Sequence, residues 1–192
     1  MIGGAVLSPL VPGTVQTLKA RMQGRRGPSP FQPYRELRRL WGKSTVQPAG
    51  TGPVYGAAPA VAAAALAACL LMISIAGRSP RWPLGNDAFV VVGLFAVARF
   101  AVAAAAWDTG NGFALMGAAR DLGFAVMVEG LFVGVILLAA LPGQSTDLVS
   151  MSTTANGWDV WGEPAHWCAA AAFALVLVAE TGRQPVDNPD TH

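Results

Sequence analysis

The stretch AFVVVGLFAVARFAVAAAAW, residues 88–107, decides the fold because Arg99 is its only charged residue. An α-helix needs about 20 predominantly apolar residues to cross the hydrocarbon core of a bilayer. Three further blocks meet or approach that length, at 57–76, 113–141 and 165–180. The sequence therefore predicts an all-α fold, a polytopic transmembrane helix bundle with about four full spanning helices.

The composition agrees with a membrane chain and excludes several other classes. Of the 192 residues, 53% are hydrophobic and 12% are charged, whereas soluble domains carry roughly 25% charged residues. A disordered chain is excluded because disorder needs low hydrophobicity and high net charge. Two cysteines exclude a disulfide-dense module and a four-cysteine zinc or iron–sulfur site.

The chain begins with an apolar block that is too short to cross a bilayer. It contains Pro9 and is followed closely by Pro12. A signal peptide would carry its positive charge before the apolar stretch, and here the charge follows. Residues 1–13 are therefore predicted to be the remaining half of a clipped first helix.

A strongly basic loop is predicted over residues 14–50. Its single acid is Glu36, and it lies between apolar segments, so a loop at the cytoplasmic surface near anionic headgroups is favoured over a nucleic-acid site. The loop holds eight of the thirteen basic residues: Lys19, Arg21, Arg25, Arg26, Arg35, Arg38, Arg39 and Lys43.

Within this loop, residues 33–43 are predicted to form a short amphipathic helix that lies along the membrane surface. Pro33 suits the first turn, and Glu36 can pair with Arg39. A plain anchor and a docking face for a soluble partner both remain open. Its apolar face consists of Tyr34, Leu37, Leu40 and Trp41.

The count of Lys and Arg in short loops predicts the orientation of the bundle. The basic loop is placed in the cytoplasm. Alternation then places 77–87 outside, 108–112 inside and 142–164 outside, and it places 181–192 at the start of a further cytoplasmic loop.

Several charges lie within or beside the predicted spans. Each would cost at least about 2.5–3.5 kcal/mol at the bilayer centre unless it faces protein or water. Asp121 and Glu129 are a little over two helical turns apart and share roughly one face. Two interpretations stay open: an ion-pair staple between helices, and a chain of protonatable groups. Near the end of the chain, Glu180 and Arg183 are spaced to pair on one turn.

The sequence contains no glycine-rich phosphate loop, nucleophile elbow or paired-cysteine motif. His192 with Asp187 and Asp190 is not expected to bind a metal, because these residues have no fixed geometry. No metal site, no catalytic residue and no cofactor bound by this chain are predicted.

Two stretches resemble a known family. They are KARMQGRRGP at 19–28, which continues through FQPYRELRRL at 31–40 to Lys43, and ETGRQPVDNPDTH at 180–192. Between them, ARF at 98–100, DTG at 108–110, GAARD at 117–121 and Glu129 follow in the expected order. Over essentially its whole length the chain is similar to the membrane subunit shared by respiratory NADH:quinone oxidoreductase (subunit 1) and the energy-converting nickel–iron hydrogenases.

Two departures favour the hydrogenase branch, of the formate hydrogenlyase subunit 4 and hydrogenase-4 component C type. The NADH dehydrogenase branch usually has an Asn-Arg-Val-Gly insert after the first Gly-Pro, whereas here Pro28 runs directly into Ser-Pro-Phe-Gln. That branch also tends to have Pro-Phe-Asp and a run of glutamates in the second motif, where this chain has Pro-Val-Asp-Asn-Pro.

The resemblance implies a multi-pass subunit of the bacterial or archaeal inner (cytoplasmic) membrane that is not catalytic alone. It would anchor a soluble arm and couple electron transfer to proton or ion translocation. The implied partners are the large and small hydrogenase subunits, iron–sulfur proteins, antiporter-like membrane subunits and the lipid bilayer, with no nucleic acid. Members of the family are longer, so the chain is interpreted as a fragment.

Matching positions supply the candidate site residues. The candidates for docking the soluble arm are Arg21, Arg25, Arg26, Glu36, Arg38 and Arg39. The candidates for proton or ion coupling are Arg99, Asp108, Arg120, Asp121, Glu129, Glu180, Arg183 and Asp187.

Two alternatives to a hydrogenase subunit remain. One is the quinone-site subunit of an NADH:quinone oxidoreductase. The other is an unrelated small-solute transporter, which predicts internal repeats of the spans, and none is seen.

Overall fold

The computed structural model describes residues 6–72, 86–155 and 162–180. Its helical content confirms the prediction of an all-α fold. Apart from one isolated β-bridge, the regular elements of the described residues are seven helices: α1 Leu10–Met22, α2 Gln32–Trp41, α3 Pro53–Met72, α4 Ala88–Asp108, α5 Gly112–Ala140, α6 Leu148–Ala155 and α7 Pro164–Glu180.

Three of these helices are long and apolar enough to cross a membrane. Helices α3, α4 and α5 have 20, 21 and 29 residues, with mean hydropathies of 2.0, 2.3 and 2.4 in their most apolar windows. Helix α7 is also apolar but has 17 residues. The predicted bundle thus consists, in the described residues, of three helices of spanning length and one shorter apolar helix.

The helix boundaries differ from the sequence prediction by a few residues. Helix α3 begins at Pro53, four residues before the predicted start, because proline suits the first helical position. The last predicted residues of that span, 73–76, lie outside the described residues. Helices α4 and α5 begin where Asp87 and Asn111 accept hydrogen bonds from the backbone N–H groups two residues ahead, as N-cap residues do.

Where the sequence predicted one membrane domain, the chain divides into two compact units, Met1–Pro48 and Ala49–His192. The first unit contains α1 and α2, joined by a short connection. Thr17 Oγ1 donates to the carbonyl of Pro28 at 2.9 Å, and the Tyr34 hydroxyl donates to the carbonyl of Val6. A Cβ atom at Gly13 would clash with the carbonyl oxygen of Pro30, so the returning chain packs directly against α1.

The prediction of a clipped helix over 1–13 followed by a loop from residue 14 is wrong for part of this region. Helix α1 runs continuously through residue 13 to Met22. Pro9 precedes the first turn of this helix and Pro12 lies within that turn. The first N–H groups of a helix have no intrahelical acceptor, so proline costs little there.

The amphipathic helix α2 follows the prediction closely and begins at Gln32. Its apolar side chains are exposed, with Leu40 at 55% and Trp41 at 90% of their full accessibility. Basic side chains occupy the rest of its surface. Exposed apolar and cationic faces on one short helix are typical of a segment that lies at a membrane surface.

In the second unit, each spanning helix packs against the next in sequence. The first cluster joins α3 to α4 through Cys69, Met72 and Val91. A second joins α4 to α5 through Val92 and Ile136. The third joins α5 to α7, and its buried residues are Val128, Val135 and Val176.

Helix α6 lies in a segment that was predicted to be a loop, 142–164. The Asp147 carboxylate accepts from the backbone N–H of Ser150 at 2.9 Å and begins the helix. The backbone N–H of Leu148 donates to the carbonyl of Asn86 at 2.8 Å, and the backbone N–H of Ala88 donates to the carbonyl of Thr146 at 2.9 Å. The start of α4 and the start of α6 are therefore joined at one end of the bundle.

Candidate functional site

An ion pair joins two of the apolar helices. Arg99 lies in the middle of α4, and its Nη2 is 2.8 Å from Oε1 of Glu180 in α7. The same nitrogen donates to the backbone carbonyl of Glu180 at 3.2 Å. Each side chain exposes 16% of its surface. Both charged groups are therefore largely covered by protein, and each compensates the charge of the other.

The pairing of Glu180 with Arg183 on its own helical turn stays a prediction, because Arg183 lies outside the described residues. The coupling candidate Asp187 also lies outside them. In the part of the chain that is described, the partner of Glu180 is Arg99, 81 residues earlier in the sequence. Both residues were predicted from the sequence as coupling candidates, but their pairing with each other was not predicted.

Two further carboxylates lie on a helix that packs against α7. They are Glu129 and Asp121 of α5, which contacts α7 through Val128, Val135 and Val176. Glu129 is half-buried, whereas Asp121 and the neighbouring Arg120 are exposed. Three of the predicted coupling residues, Arg99, Glu129 and Glu180, are therefore at least partly buried in one region between helices.

One oxygen of Glu180 has no hydrogen-bond partner among the described residues. This atom, Oε2, is buried, while Oε1 is held by Arg99. A buried carboxylate oxygen without a donor is costly for the charged form of the group, and the cost falls when the group accepts a proton.

Asp108, another predicted coupling residue, has a different environment. Its Oδ2 accepts a hydrogen bond from the backbone N–H of Tyr55 at 2.8 Å. A Cβ atom at Gly52 would lie 2.6 Å from Oδ1. Asp108 at the end of α4 thus caps the start of α3, and its contacts are with that helix end.

The docking candidates fall into two groups within the first unit. On α2, Glu36 pairs with Arg39, as its spacing predicted, and Arg38 is exposed. The other group follows the end of α1 and consists of exposed side chains: Arg21, Arg25 and Arg26.

An apolar groove beside α4, α5, α6 and α7 was missed by sequence reasoning. Its volume is about 480 Å³, and its walls include Phe132 and Phe173. The groove also contacts His166 near the start of α7 and Glu180 at the other end of that helix. No sequence signal could have identified it, because its residues come from four separate helices and look like ordinary apolar residues of spans.

A bundle of apolar helices with a half-buried ion pair and a further half-buried carboxylate defines a multi-pass membrane protein with charges inside its spans. The sequence pattern of the family described as NADH dehydrogenase matches residues 4–192. The chain therefore belongs to this family, that of the membrane subunit 1, which confirms the resemblance seen in the two end motifs.

Relatives from both branches of the family are similar to the chain. Hydrogenase-4 component C of Escherichia coli K12 is 30% identical over 95% of this chain and 58% of its own length. Formate hydrogenlyase subunit 4 of the same organism is 29% identical over 94% and 59%. NADH-ubiquinone oxidoreductase chain 1 of Carassius auratus is 28% identical over 86% and 52%.

The fold also matches a solved structure. A chain of the membrane-bound sulfane sulfur reductase, an archaeal respiratory membrane complex, superposes with a TM-score of 0.74 at 23% identity, covering 98% of this chain and 63% of that chain. This chain thus spans somewhat more than half the length of the relatives that it matches.

Proposed function

We propose that the chain is a non-catalytic membrane subunit of a membrane hydrogenase of the formate hydrogenlyase type. It anchors a soluble arm with nickel–iron and iron–sulfur subunits and couples electron transfer in that arm to proton or ion movement. Antiporter-like membrane subunits are its neighbours in the bilayer. The complex lies in the inner membrane of a bacterium or archaeon.

The observation that carries this proposal is the half-buried Arg99–Glu180 pair, with the half-buried Glu129 on the adjacent helix α5. Ionisable residues inside a membrane are expensive, and they commonly belong to proton relays or ion pathways. Arg99 pairs with Oε1 of Glu180, Oε2 has no donor among the described residues, and Glu129 lies on α5, which packs against the helix of Glu180. In the proposed relay, Glu180 alternates between a charged form that pairs with Arg99 and a protonated form.

In this proposal Glu129 and Glu180 exchange the proton, and Arg99 tunes them together with Arg183. Asp121 is exposed on the same helix as Glu129 and feeds the route from the cytoplasmic side. Asp108 is left out of the route, because its carboxylate is engaged by the start of α3. Arg120 and Asp187 stay as further candidates of the predicted set.

The test replaces Glu129 and Glu180 singly by Gln in the intact complex. Each change removes the ability to ionise and keeps the side-chain volume. We expect proton translocation to be strongly reduced while the arm remains bound. Glu163→Gln, an exposed carboxylate just before α7, is the matched control and should translocate normally. Normal translocation by the Glu129 variant with unchanged assembly would refute the proposed route.

The docking part of the proposal rests on the exposed cations of the first unit. Arg21 and Arg38 are exposed, and the only acid between residues 6 and 48, Glu36, already pairs with Arg39. Such a surface suits an acidic face of a soluble subunit. Reversal of both charges, Arg21→Glu with Arg38→Glu, should release the arm at ordinary salt.

The control for docking is the pair Arg21→Lys with Arg38→Lys, which keeps the charges. The fraction of soluble subunits that co-purifies is the readout. Retention of the arm by the reversed variant at ordinary salt would argue against docking at these residues.

A second function is favoured by one observation, the apolar groove that ends at Glu180. A groove of this kind suits the tail of a quinone, and the quinone-site subunit of an NADH:quinone oxidoreductase is the alternative. Purification of the full-length protein with its partners distinguishes the two. Nickel in the eluate and activity unaffected by quinone-site inhibitors support the hydrogenase subunit, whereas flavin, NADH-binding partners and inhibition support the alternative.

A further inference from the structure

The end of α1 carries a concave basic pocket, and two of its cations are also candidates for docking the soluble arm. Its volume is about 450 Å³. Three cations line it, Lys19, Arg25 and Arg26, together with the amides of Gln16 and Gln23. All five side chains can donate hydrogen bonds, so the pocket is suited to an anion.

The backbone builds this pocket in a defined way. Gly24 has a φ of +69°, in the left-handed region, and ends α1. The backbone N–H of Gly24 donates to the carbonyl of Arg21 at 3.0 Å, and the backbone N–H of Arg25 donates to the carbonyl of Ala20 at 2.8 Å. This pair of bonds is a Schellman-type helix end. The chain therefore turns back along α1 and brings Arg25 and Arg26 beside Lys19.

A second contact fixes the returning chain. Thr17 Oγ1 donates to the carbonyl of Pro28 at 2.9 Å, one turn back along the helix. At the pocket itself, the Arg25 guanidinium donates to the amide oxygen of Gln23, which orients the guanidinium. The three cations are therefore held near one another by backbone geometry, and their mutual repulsion falls when an anion lies between them.

The anion has to come from outside the first unit. Eight basic residues and one acid, Glu36, occupy residues 6–48, and Glu36 pairs with Arg39 on α2. The same unit exposes Leu40 and Trp41 on its amphipathic helix, which indicates that it lies at the membrane surface. The most abundant anions at that surface are the phosphates of acidic lipids.

We propose that the pocket of Lys19, Arg25 and Arg26 binds the phosphate of an anionic phospholipid. The guanidinium groups recognise phosphate oxygens through paired hydrogen bonds, and the lysine adds a third charge. This site goes beyond the proposed function because it requires neither the soluble arm nor ion movement. An acidic segment of the soluble arm is the competing occupant of Arg25 and Arg26, and the test below separates the two.

The test measures thermal unfolding of the intact, delipidated complex in detergent as phosphatidylglycerol is added. Phosphatidylcholine and inorganic phosphate are tested in parallel. We expect a saturable rise of Tm with phosphatidylglycerol only. Arg25→Gln with Arg26→Gln should weaken the apparent affinity by roughly thirtyfold, since each cation near an anionic surface contributes several-fold.

The matched control removes two charges of the same unit outside the pocket, Arg35→Gln with Lys43→Gln, and should keep the response. Equal losses in both variants, or no saturable rise at all, would overturn the site. An equal rise with inorganic phosphate would overturn the lipid assignment. If the pocket variant does not assemble, Arg25→Lys with Arg26→Lys replaces it and is expected to keep a weaker, saturable response.

A final experiment repeats the phosphatidylglycerol titration on the membrane part after the soluble arm has been removed with salt. An unchanged response supports the lipid site. A response that vanishes when the arm is present would instead assign the pocket to docking and overturn the lipid proposal. None of these lipid titrations measures proton translocation. A failure of the lipid proposal therefore leaves the test of Glu129 and Glu180 unaffected.

Discussion

The carboxylate of Asp108 accepts a hydrogen bond from the backbone N–H of Tyr55 across 53 residues of sequence. The end of α4 thereby serves as the N-cap of α3, whose own preceding residue, Gly52, has no side chain to do so. The alternation of the predicted spans requires these two helix ends to lie on the same side of the membrane, and the hydrogen bond joins them there.

Removal of this cap is expected to destabilise the bundle. Asp108→Ala should lower the free energy of unfolding by about 1 kcal/mol, the usual cost of losing an N-cap. Asp108→Asn keeps an acceptor oxygen and should cost less. Thermal unfolding of the detergent-solubilised complex measures both, and proton translocation by Asp108→Asn should be near normal. A translocation defect in a stable Asp108→Asn protein would return this residue to the coupling route.

Substitution of Gly52 probes the same contact from the other side. A Cβ atom there would lie 2.6 Å from Oδ1 of Asp108, so Gly52→Ala should displace the carboxylate and cost about 1–3 kcal/mol. The matched comparison is Gly52→Ala in an Asp108→Ala background, where the obstructing atoms are gone. Strictly additive losses in this double-mutant cycle would contradict the contact.

The Arg99–Glu180 pair can be tested as a structural staple. Arg99→Met leaves a half-buried carboxylate without its cation and should cost about 1–3 kcal/mol, less than the roughly 3–5 kcal/mol for breaking a fully buried pair. Adding Glu180→Gln to Arg99→Met removes that charge and should recover much of the loss. The yield of assembled complex and its Tm are the readouts. If the double variant is as unstable as the single one, unpaired charge is not the cause.

The turn after α1 depends on Gly24. Its φ of +69° is strained for residues with a side chain, so Gly24→Ala should cost about 1 kcal/mol. Gly24→Asn should be milder, because asparagine tolerates the left-handed region. Gly42 follows α2 with a φ of −90°, so Gly42→Ala is the control. Limited proteolysis of the connection between α1 and α2 should accelerate only for the Gly24 variants.

Sequence reasoning identified the spanning segments well because long apolar runs have few alternatives in a bilayer. Helices α4, α5 and α7 begin within one residue of their predicted starts. It placed the end of the first helix too early, at residue 13 instead of Met22, because the basic residues that follow look like those of a loop. It also missed α6, whose eight residues are too few for a periodic pattern.

The candidate site was only partly predictable. The types of residues in the spans identified Arg99, Glu129 and Glu180 as unusual, since charge in an apolar run is visible in sequence. Which charges meet depends on how helices pack, and the pairing of Arg99 with Glu180 required the structure. For the same reason the capping role of Asp108 was not foreseen.

The length of α5 has a consequence for where the energetic cost of its charges falls. At 1.5 Å per residue, its 29 residues extend about 43 Å, which exceeds a hydrocarbon core of about 30 Å. A helix with such a positive mismatch tilts or protrudes. When the surplus length lies at the end that begins with Gly112, the side chains of Arg120 and Asp121 reach the headgroup layer. A charged side chain costs little free energy there. Glu129 then remains the one carboxylate of α5 that the bilayer itself would penalise, and its neighbours in the bundle must shelter it.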